Sequence, residues 1–301
     1  MDASKRIAQL VREACIEEVG APKPGNVNRA HNFSNTAFED FIASAEAILP
    51  AFENADHTGV GRIVLQAITD CRRLVRSNTN LGIVLLLAPL AKACLAVEGV
   101  DNGNDRKLLR RALHDVLHAL TVEDARFVYE AIRIAAPGGM NEVPMQDIAQ
   151  EPTVTLLEAM ELAKGRDSIA FEYITDFEIT FTIGLPSIKK ALSQGLDFTN
   201  AIVTAFLSVL SRVPDTLIAR KNGKEVARRV SQRAEEVLSC GGVRSSGGRK
   251  KLQELDRYLR DPCHKLNPGT TADLTAAAIF LVLFETGPRS QGDPPAVSGM
   301  Q

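Results

Sequence analysis

Two segments of the chain are apolar on nearly every face that a helix would present. Residues 81–95 contain a single charged side chain, Lys92, and residues 272–285 contain a single aspartate, Asp273, near their start. A helix that is hydrophobic all round belongs at the centre of a bundle. The longest strictly apolar run near the C-terminus, 276–284, is far shorter than the roughly 18 residues that span a bilayer. The sequence therefore predicts an all-α fold, a single helical bundle domain with two buried central apolar helices and no membrane association.

The rest of the chain has the spacing of amphipathic helices. Apolar residues recur every three or four positions, which is typical of a helix with one buried face. Residues 177–183 instead alternate apolar and polar side chains, so they fit either a strand or a helix that ends near Pro186. The three clearest helical stripes are Ile7, Leu10, Val11, Ala14 and Cys15; Phe38, Phe41, Ile42, Ala45, Ile48 and Leu49, with Pro50 marking the end; and Leu108, Leu109, Leu113, Val116, Leu117 and Leu120.

No linker divides these segments, so residues 1–286 are expected to form one domain and residues 287–301 a disordered tail. The first residues lack the apolar core of a secretory signal. Five scattered cysteines without a CxxC pair indicate a reducing compartment, the cytoplasm. A net charge of −2, the absence of Trp and an aromatic content of 5% argue against nucleic acid as a partner. A small-molecule ligand fits better, and the sequence allows an oligomer.

Polar residues concentrate in four loops that adjoin helical segments. The first, residues 21–31, has two stiffening prolines, Gly25 for close backbone approach, and basic residues flanking amides, which suits phosphate or carboxylate binding. The second, residues 77–82, opens an apolar helix, whose free N–H groups and positive dipole end favour an anion. Ordinary turns with capping residues and solvated charges are the alternative for both loops. The phosphate-binding candidates here are Lys23, Asn26, Asn28, Asn78 and Asn80.

The third loop, residues 212–223, combines a carboxylate with two cations. Asp215 is a candidate for holding a metal ion, and Arg220 and Lys221 are candidates for holding phosphates. A capping aspartate and a solvated basic face are the alternative explanation. The charge distribution favours a polyphosphate ligand, because residues 212–265 carry 14 Lys and Arg against 7 Asp and Glu.

The fourth loop, residues 266–274, leads into the C-terminal apolar helix. Thr270 can cap this helix, and both Thr270 and Asn267 are candidates for substrate binding. Asp273 lies one turn into a helix that is otherwise apolar, so we expect it to face a cleft. Because a buried carboxylate is costly unless it is paired or metal-bound, Asp273 is also a candidate metal ligand.

Six motifs, in order along the chain, resemble those of the triphosphoribosyl-dephospho-CoA synthase family. The resemblance extends over nearly the whole sequence, and the family is all-α, in agreement with the helical periodicity. The similar segments are PKPG at 22–25, an NTHKG-like loop at 77–82, an AI…PGGLG-like segment at 131–140, an RD-x-IA-like segment at 163–170, a DT…R segment at 215–220 and an SPGGSADLLA-like segment at 267–274.

The resemblance implies an enzyme that joins ATP to 3′-dephospho-CoA. In this reaction the ribose carbon of ATP is transferred to a hydroxyl, adenine leaves, and the triphosphate stays on the sugar. The resemblance also implies Mg²⁺ as cofactor, with basic loop residues on the triphosphate and Asp215 or Asp273 on the metal. A carboxylate stabilises an oxocarbenium-like transition state, and the acceptor hydroxyl needs a base. The catalytic candidates are Asp273, Asp215 and His31.

Several positions depart from the family pattern. Asn80 and Leu81 stand where the family has His-Lys, and Asn28 stands where it has Asp. The His-x-Asp stretch after PKPG is replaced by one with His31 and Asn35 but no Asp. These changes remove acids and bases and indicate a divergent branch. Two alternatives follow: phosphoribosyl transfer to a ribitol hydroxyl in the biosynthesis of a methanopterin-type one-carbon cofactor, or a non-catalytic nucleotide-binding helical protein.

Overall fold

Helix follows helix along the chain in the computed structural model, which describes residues 2–99, 105–137, 145–261 and 263–287. Strand-like pairing within these ranges is limited to two isolated β-bridges, Asn28–His31 in the first polar loop and Phe33–Thr36 just after it. The all-α prediction is confirmed. The helices are α1 Ala3–Gly20, α2 Phe38–Ala47, α3 Leu49–Glu53, α4 Val60–Leu74, α5 Leu81–Val97, α6 Arg106–His118, α7 Val122–Ala135, α8 Leu156–Ala163, α9 Ser168–Ile174, a π-helical turn Thr180–Gly184, α10 Leu185–Ser193, α11 Phe198–Arg212, α12 Thr216–Asn222, α13 Lys224–Ser239, a 3₁₀ turn Gly242–Arg244, α14 Ser246–Leu259 and α15 Gly269–Thr286.

Helices α5 and α15 form the centre of the bundle. Every residue of 83–91 in α5 and of 276–284 in α15 is buried. Helix α15 packs against α1, α5, α10 and α11. It is long and apolar enough to cross a membrane, but 78% of it is buried inside the protein, as in a core helix. The prediction of two buried central helices is therefore confirmed; residues 288–301 of the predicted tail lie outside the described residues.

Two local expectations need correction. Helix α2 ends at Ala47, before Pro50, and the chain continues as α3 with Pro50 in its first turn, where a missing N–H is tolerated. The strand alternative for residues 177–183 is wrong, because this segment is helical and runs through the π-helical turn into α10. Buried Glu172 stabilises the beginning of this helical segment by accepting hydrogen bonds from the backbone N–H groups of Ile179 and Thr180, at 3.1 and 2.7 Å.

Pro89 lies inside α5 and leaves one backbone acceptor of that helix without its usual donor. Proline has no N–H, so the carbonyl of Leu85, four residues earlier, cannot receive the helical hydrogen bond. The buried hydroxyl of Tyr173 in α9 donates to this carbonyl at 2.7 Å. The bond satisfies a buried polar group and fixes α9 against α5.

Replacement of Tyr173 by Phe is expected to destabilise the fold by about 1–3 kcal/mol, because it leaves the buried Leu85 carbonyl unsatisfied. Pro89→Ala restores a backbone N–H, so Tyr173→Phe should cost markedly less in the Pro89→Ala background. Urea unfolding of the wild type, both single variants and the double variant measures this coupling free energy. Equal costs in the two backgrounds would show that the hydroxyl does not replace the missing backbone donor.

Candidate active site

One cavity of about 620 Å³ lies where α5, α12 and α15 begin, next to the first polar loop. Residues from each of the four polar loops line it, so segments far apart in the sequence meet at one place. Residues 138–140, which belong to the PGG-containing motif, lie outside the described residues. The sequence-predicted residues on the cavity wall are Asn26, Asn78, Asn80, Arg220, Lys221, Asn267, Thr270 and Asp273.

The two central helices bring the carboxylate of Asp273 into this cavity. Among the described residues it has no hydrogen-bond partner. Gly82 of α5 lies directly against it: a Cβ atom at residue 82 would be 2.0 Å from Asp273 Oδ2 and 2.5 Å from its Cγ. The absence of a side chain at residue 82 therefore lets α15 place a carboxylate against the first turn of α5.

Glu18 and Asp167 line the cavity together with Asp273, and we call these three residues the acidic group. Burial raises the pKa of Asp273 well above its ordinary value, and the negative charges of Glu18, Asp215 and Asp167 raise it further. The guanidinium of Arg220 opposes this shift. The Asp273 carboxylate is thus a desolvated group that favours protonation or a bound cation.

Cations share the cavity with the acidic group. Arg220 Nη1 lies 3.1 Å from Asp167 Oδ2, while Asp167 Oδ1 accepts a hydrogen bond from the first turn of α9. Lys221 is half-buried beside Arg220; burial and the Arg220 charge lower its pKa. Arg72 and Arg76 line the same cavity from the end of α4 and the segment after it. Anionic groups of a ligand would therefore meet several positive charges here.

Four residues of the cavity wall each have a buried polar atom without a hydrogen-bond partner among the described residues. These atoms are Ser77 Oγ, Asn80 Nδ2, Arg220 Nε and Asn267 Oδ1. Buried polar groups are almost always hydrogen-bonded in folded proteins, so groups left without partners need an explanation. A polar ligand in the cavity would explain them, because it would offer both hydrogen-bond donors and acceptors to this wall.

Asp215, predicted as a catalytic group and metal ligand, does not line the cavity. Its Oδ1 accepts a hydrogen bond from the Ile218 N–H at 2.9 Å, and its Oδ2 accepts from the N–H and hydroxyl of Thr271, both at 2.8 Å. Asp215 therefore caps α12 and α15 together and fixes how their first turns meet. Because both oxygens are used in this way, the geometry gives Asp215 a positioning role in place of the predicted one.

Lys23, Asn28 and His31 also lie away from the cavity wall. Lys23 is fully buried; its Nζ lies 3.0 Å from the carboxylate of Glu18 and donates to the Ala21 carbonyl. It positions a residue of the acidic group instead of meeting phosphates. Asn28 shapes its own loop by accepting from the Ala30 N–H at 3.0 Å, and the exposed His31 pairs with Asn28 through backbone bonds only.

Sequence reasoning missed several residues of the wall. Glu18 carried a usable signal, since it falls on the buried stripe of α1 among apolar positions. Asp167 lies in the RD-x-IA-like segment at 163–170 but was not predicted as a site residue. His264 had no local signal: it enters the wall by stacking on Phe33, with ring centroids 4.1 Å apart, across a large sequence separation. The other residues missed are Arg72 and Arg76.

Fold and cavity together define a helical protein whose mixed-charge site suits a phosphorylated ligand. Comparison with known proteins agrees. The family model described as ATP:dephospho-CoA triphosphoribosyl transferase matches residues 4–291. A crystal structure from Archaeoglobus fulgidus, assigned to triphosphoribosyl-dephospho-CoA synthase, is 31% identical, covers 81% of this chain and 98% of its own, and superposes with a TM-score of 0.60.

Curated relatives match nearly the full length of the chain. A protein from Pseudomonas fluorescens, assigned as a 2-(5″-triphosphoribosyl)-3′-dephosphocoenzyme-A synthase, is 27% identical over 293 residues, or 94% of this chain and 93% of the relative. The 2-(5″-triphosphoribosyl)-3′-dephosphocoenzyme-A synthase of Escherichia fergusonii is 26% identical over 302 residues, with 94% and 92% covered. The chain belongs to the ATP:dephospho-CoA triphosphoribosyl transferase family, and it is a transferase.

Gly82→Ala is expected to impair the enzyme severely, with a loss of about 10²-fold in kcat/KM, because the new methyl group displaces Asp273 by an ångström or more. Elsewhere in a helix the same change is usually stabilising. Gly20→Ala is the matched control, since a Cβ at residue 20 meets nothing within 4 Å. The rate of adenine release from ATP is measured for both variants. Wild-type activity in Gly82→Ala would contradict the assigned position of Asp273.

Asp273→Asn is expected to raise the thermal stability of the metal-free protein at neutral pH. A carboxyl whose folded pKa is raised binds protons more tightly in the folded state, so its ionisation above the ordinary value of 3.8 destabilises the fold as pH rises. The gain in Tm should therefore grow between pH 4 and pH 8. Melting curves in a chelating buffer measure it, with the exposed Asp115→Asn as control; a gain independent of pH would refute the burial of this charge.

Proposed function

We propose that the protein transfers the triphosphoribosyl group of ATP to a hydroxyl of 3′-dephospho-CoA and releases adenine. The observation that carries the proposal is the Asp273 carboxylate, which no described residue hydrogen-bonds, inside a cavity that also holds Arg72, Arg76 and Lys221. Family membership supplies the donor and acceptor classes. The five unpaired cysteines, two of them exposed, support a reducing compartment such as the cytoplasm.

The chemistry breaks the bond between the ribose C1 of ATP and N9 of adenine and forms a bond between that carbon and the acceptor oxygen. Positive charge develops on the ribose as adenine departs, and the acidic group provides negative charge to stabilise it. The proton of the acceptor hydroxyl passes to a carboxylate of the acidic group, and the departing adenine takes up a proton from the site. Lys221, Arg72 and Arg76 bind the triphosphate, which stays attached to the transferred sugar.

The acidic group also fits the magnesium ion that the reaction class implies. Asp273 lacks a hydrogen-bond partner among the described residues, Glu18 lies on the same wall, and carboxylate oxygens are the ligands Mg²⁺ prefers. We propose that Asp273 and Glu18 hold the ion. When bound, Mg²⁺ supplies neutralising charge to the phosphates. Lys23 keeps the Glu18 carboxylate in place through its buried contact of 3.0 Å.

The direct test incubates the protein with ATP, Mg²⁺ and 3′-dephospho-CoA and measures free adenine together with the mass of the product. Adenine should appear in equal amount to triphosphoribosyl-dephospho-CoA. Lys221→Gln should lower kcat/KM for ATP by about 10- to 100-fold, the worth of a hydrogen bond to a charged group. Lys224→Gln, at an exposed position outside the cavity wall, is the matched control and should leave the rate unchanged.

Other outcomes of this test point to the other functions. Product formed only from phosphoribosyl pyrophosphate and a ribitol-bearing pterin would reassign the protein to phosphoribosyl transfer in one-carbon cofactor synthesis. Binding of ATP, seen as a raised Tm, without adenine release under any acceptor would indicate a non-catalytic nucleotide-binding protein.

A further inference from the structure

A second cavity, of about 210 Å³, lies beside the main one. Its wall is mostly apolar and comes from α5, α7, α8 and α9. None of its apolar residues belongs to the four polar loops. The side chains that shape its interior include Val128, Leu156, Ala159, Met160 and Ala163.

The two cavities meet at the ion pair of Asp167 and Arg220. These two residues line both cavities, and Arg220 Nε has no hydrogen-bond partner among the described residues. Leu85, Ile132 and Ile169 are also shared. The two cavities therefore share a wall at this ion pair, which we call the passage, and a ligand that extends into both cavities would lie beside the guanidinium of Arg220.

Polar groups at the second cavity are already engaged with one another. The Tyr129 hydroxyl donates to the Gln146 carbonyl at 2.8 Å, and the Gln146 side chain exchanges hydrogen bonds with Thr153. Arg166 Nη1 donates to the Leu162 carbonyl at 2.9 Å. The pocket therefore offers apolar surface with few free donors or acceptors.

We propose that this second cavity binds the uncharged, thiol-terminated arm of the acceptor, with Arg220 at the passage binding the acceptor's diphosphate. The inference rests on the proposed function. Dephospho-CoA consists of an adenosine with the reacting hydroxyl, a diphosphate, and an uncharged arm that ends in methylenes and a thiol. The order of these three groups matches the order in the structure: a charged cavity, the Arg220 guanidinium at the passage, and an apolar pocket.

The adenine ring of ATP is the competing occupant, and the pocket suits it less well. Adenine carries polar atoms around its whole edge, and their transfer to a mostly apolar pocket with few free partners is costly. The thiol end of the acceptor arm has no such requirement, and the flexible, polarisable Met160 adapts well to a narrow apolar chain. The pocket therefore recognises the acceptor and contributes little to recognition of the donor.

Filling the pocket tests this assignment. Ala159→Leu places a larger side chain into it from α8, and Glu161→Leu puts the same side chain on the exposed face of the same helix as the control. Adenine release is measured with two acceptors, dephospho-CoA and adenosine 5′-diphosphate, which lacks the arm. Ala159→Leu should lower kcat/KM for dephospho-CoA by about tenfold or more, while KM for ATP and kcat/KM for adenosine 5′-diphosphate change by less than about twofold.

Ala163→Leu repeats the test from the end of α8 if Ala159→Leu does not fold, as judged by thermal melting. An increase in KM for ATP with both acceptors would place adenine in the pocket and overturn the proposal, as would unchanged kinetics in both variants. Failure of the wild type to release adenine with either acceptor would instead overturn the proposed function, and this inference with it.

Discussion

The rest of the site depends on the carboxylate of Asp273, which lies against Gly82 where the two apolar helices meet. Burying a charge in a helical core is costly, and burial together with the neighbouring carboxylates raises the pKa of Asp273. Two of the acidic residues that act on it are paired with cations, Glu18 with Lys23 and Asp167 with Arg220. Asp273 is left without a hydrogen-bond partner among the described residues, and a cation or a developing positive charge can satisfy it.

Around this carboxylate, the polar loops divide into residues that face the cavity and residues that support them. Asp215 ties the starts of α12 and α15 together, and Lys23 holds Glu18 from behind. Both are buried and carry charge, which is the pattern expected of ligand-binding groups as well. Their hydrogen bonds give them a positioning role, because each has its polar atoms directed at the protein. Arg220 and Asn267, in contrast, each keep one atom that no residue of the described ranges hydrogen-bonds.

How much the sequence reveals depends on whether the signal is local. The two central helices could be predicted because burial on all faces shows directly in composition, and Asp273 could be singled out because it interrupts such a helix. The division of roles between Asp273 and Asp215 could not, since both are aspartates beside helix starts and only the contact with Thr271 separates them. The contact of Phe33 with His264 was likewise out of reach, because no local pattern encodes it.

The same helices also set the geometry between the two cavities. Pro89 removes a donor from α5, and the freed Leu85 carbonyl is bound by Tyr173 of α9. Asp167 immediately precedes helix α9, caps its N-terminus and pairs with Arg220 at the passage between the cavities. The proline in α5 thus leads to a hydrogen bond that fixes α9, and with it Asp167 at the passage. Leu85 itself lines both cavities. The hydrogen bond from Tyr173 to the Leu85 carbonyl therefore satisfies a buried acceptor and also positions a wall residue beside which the acceptor substrate would bind.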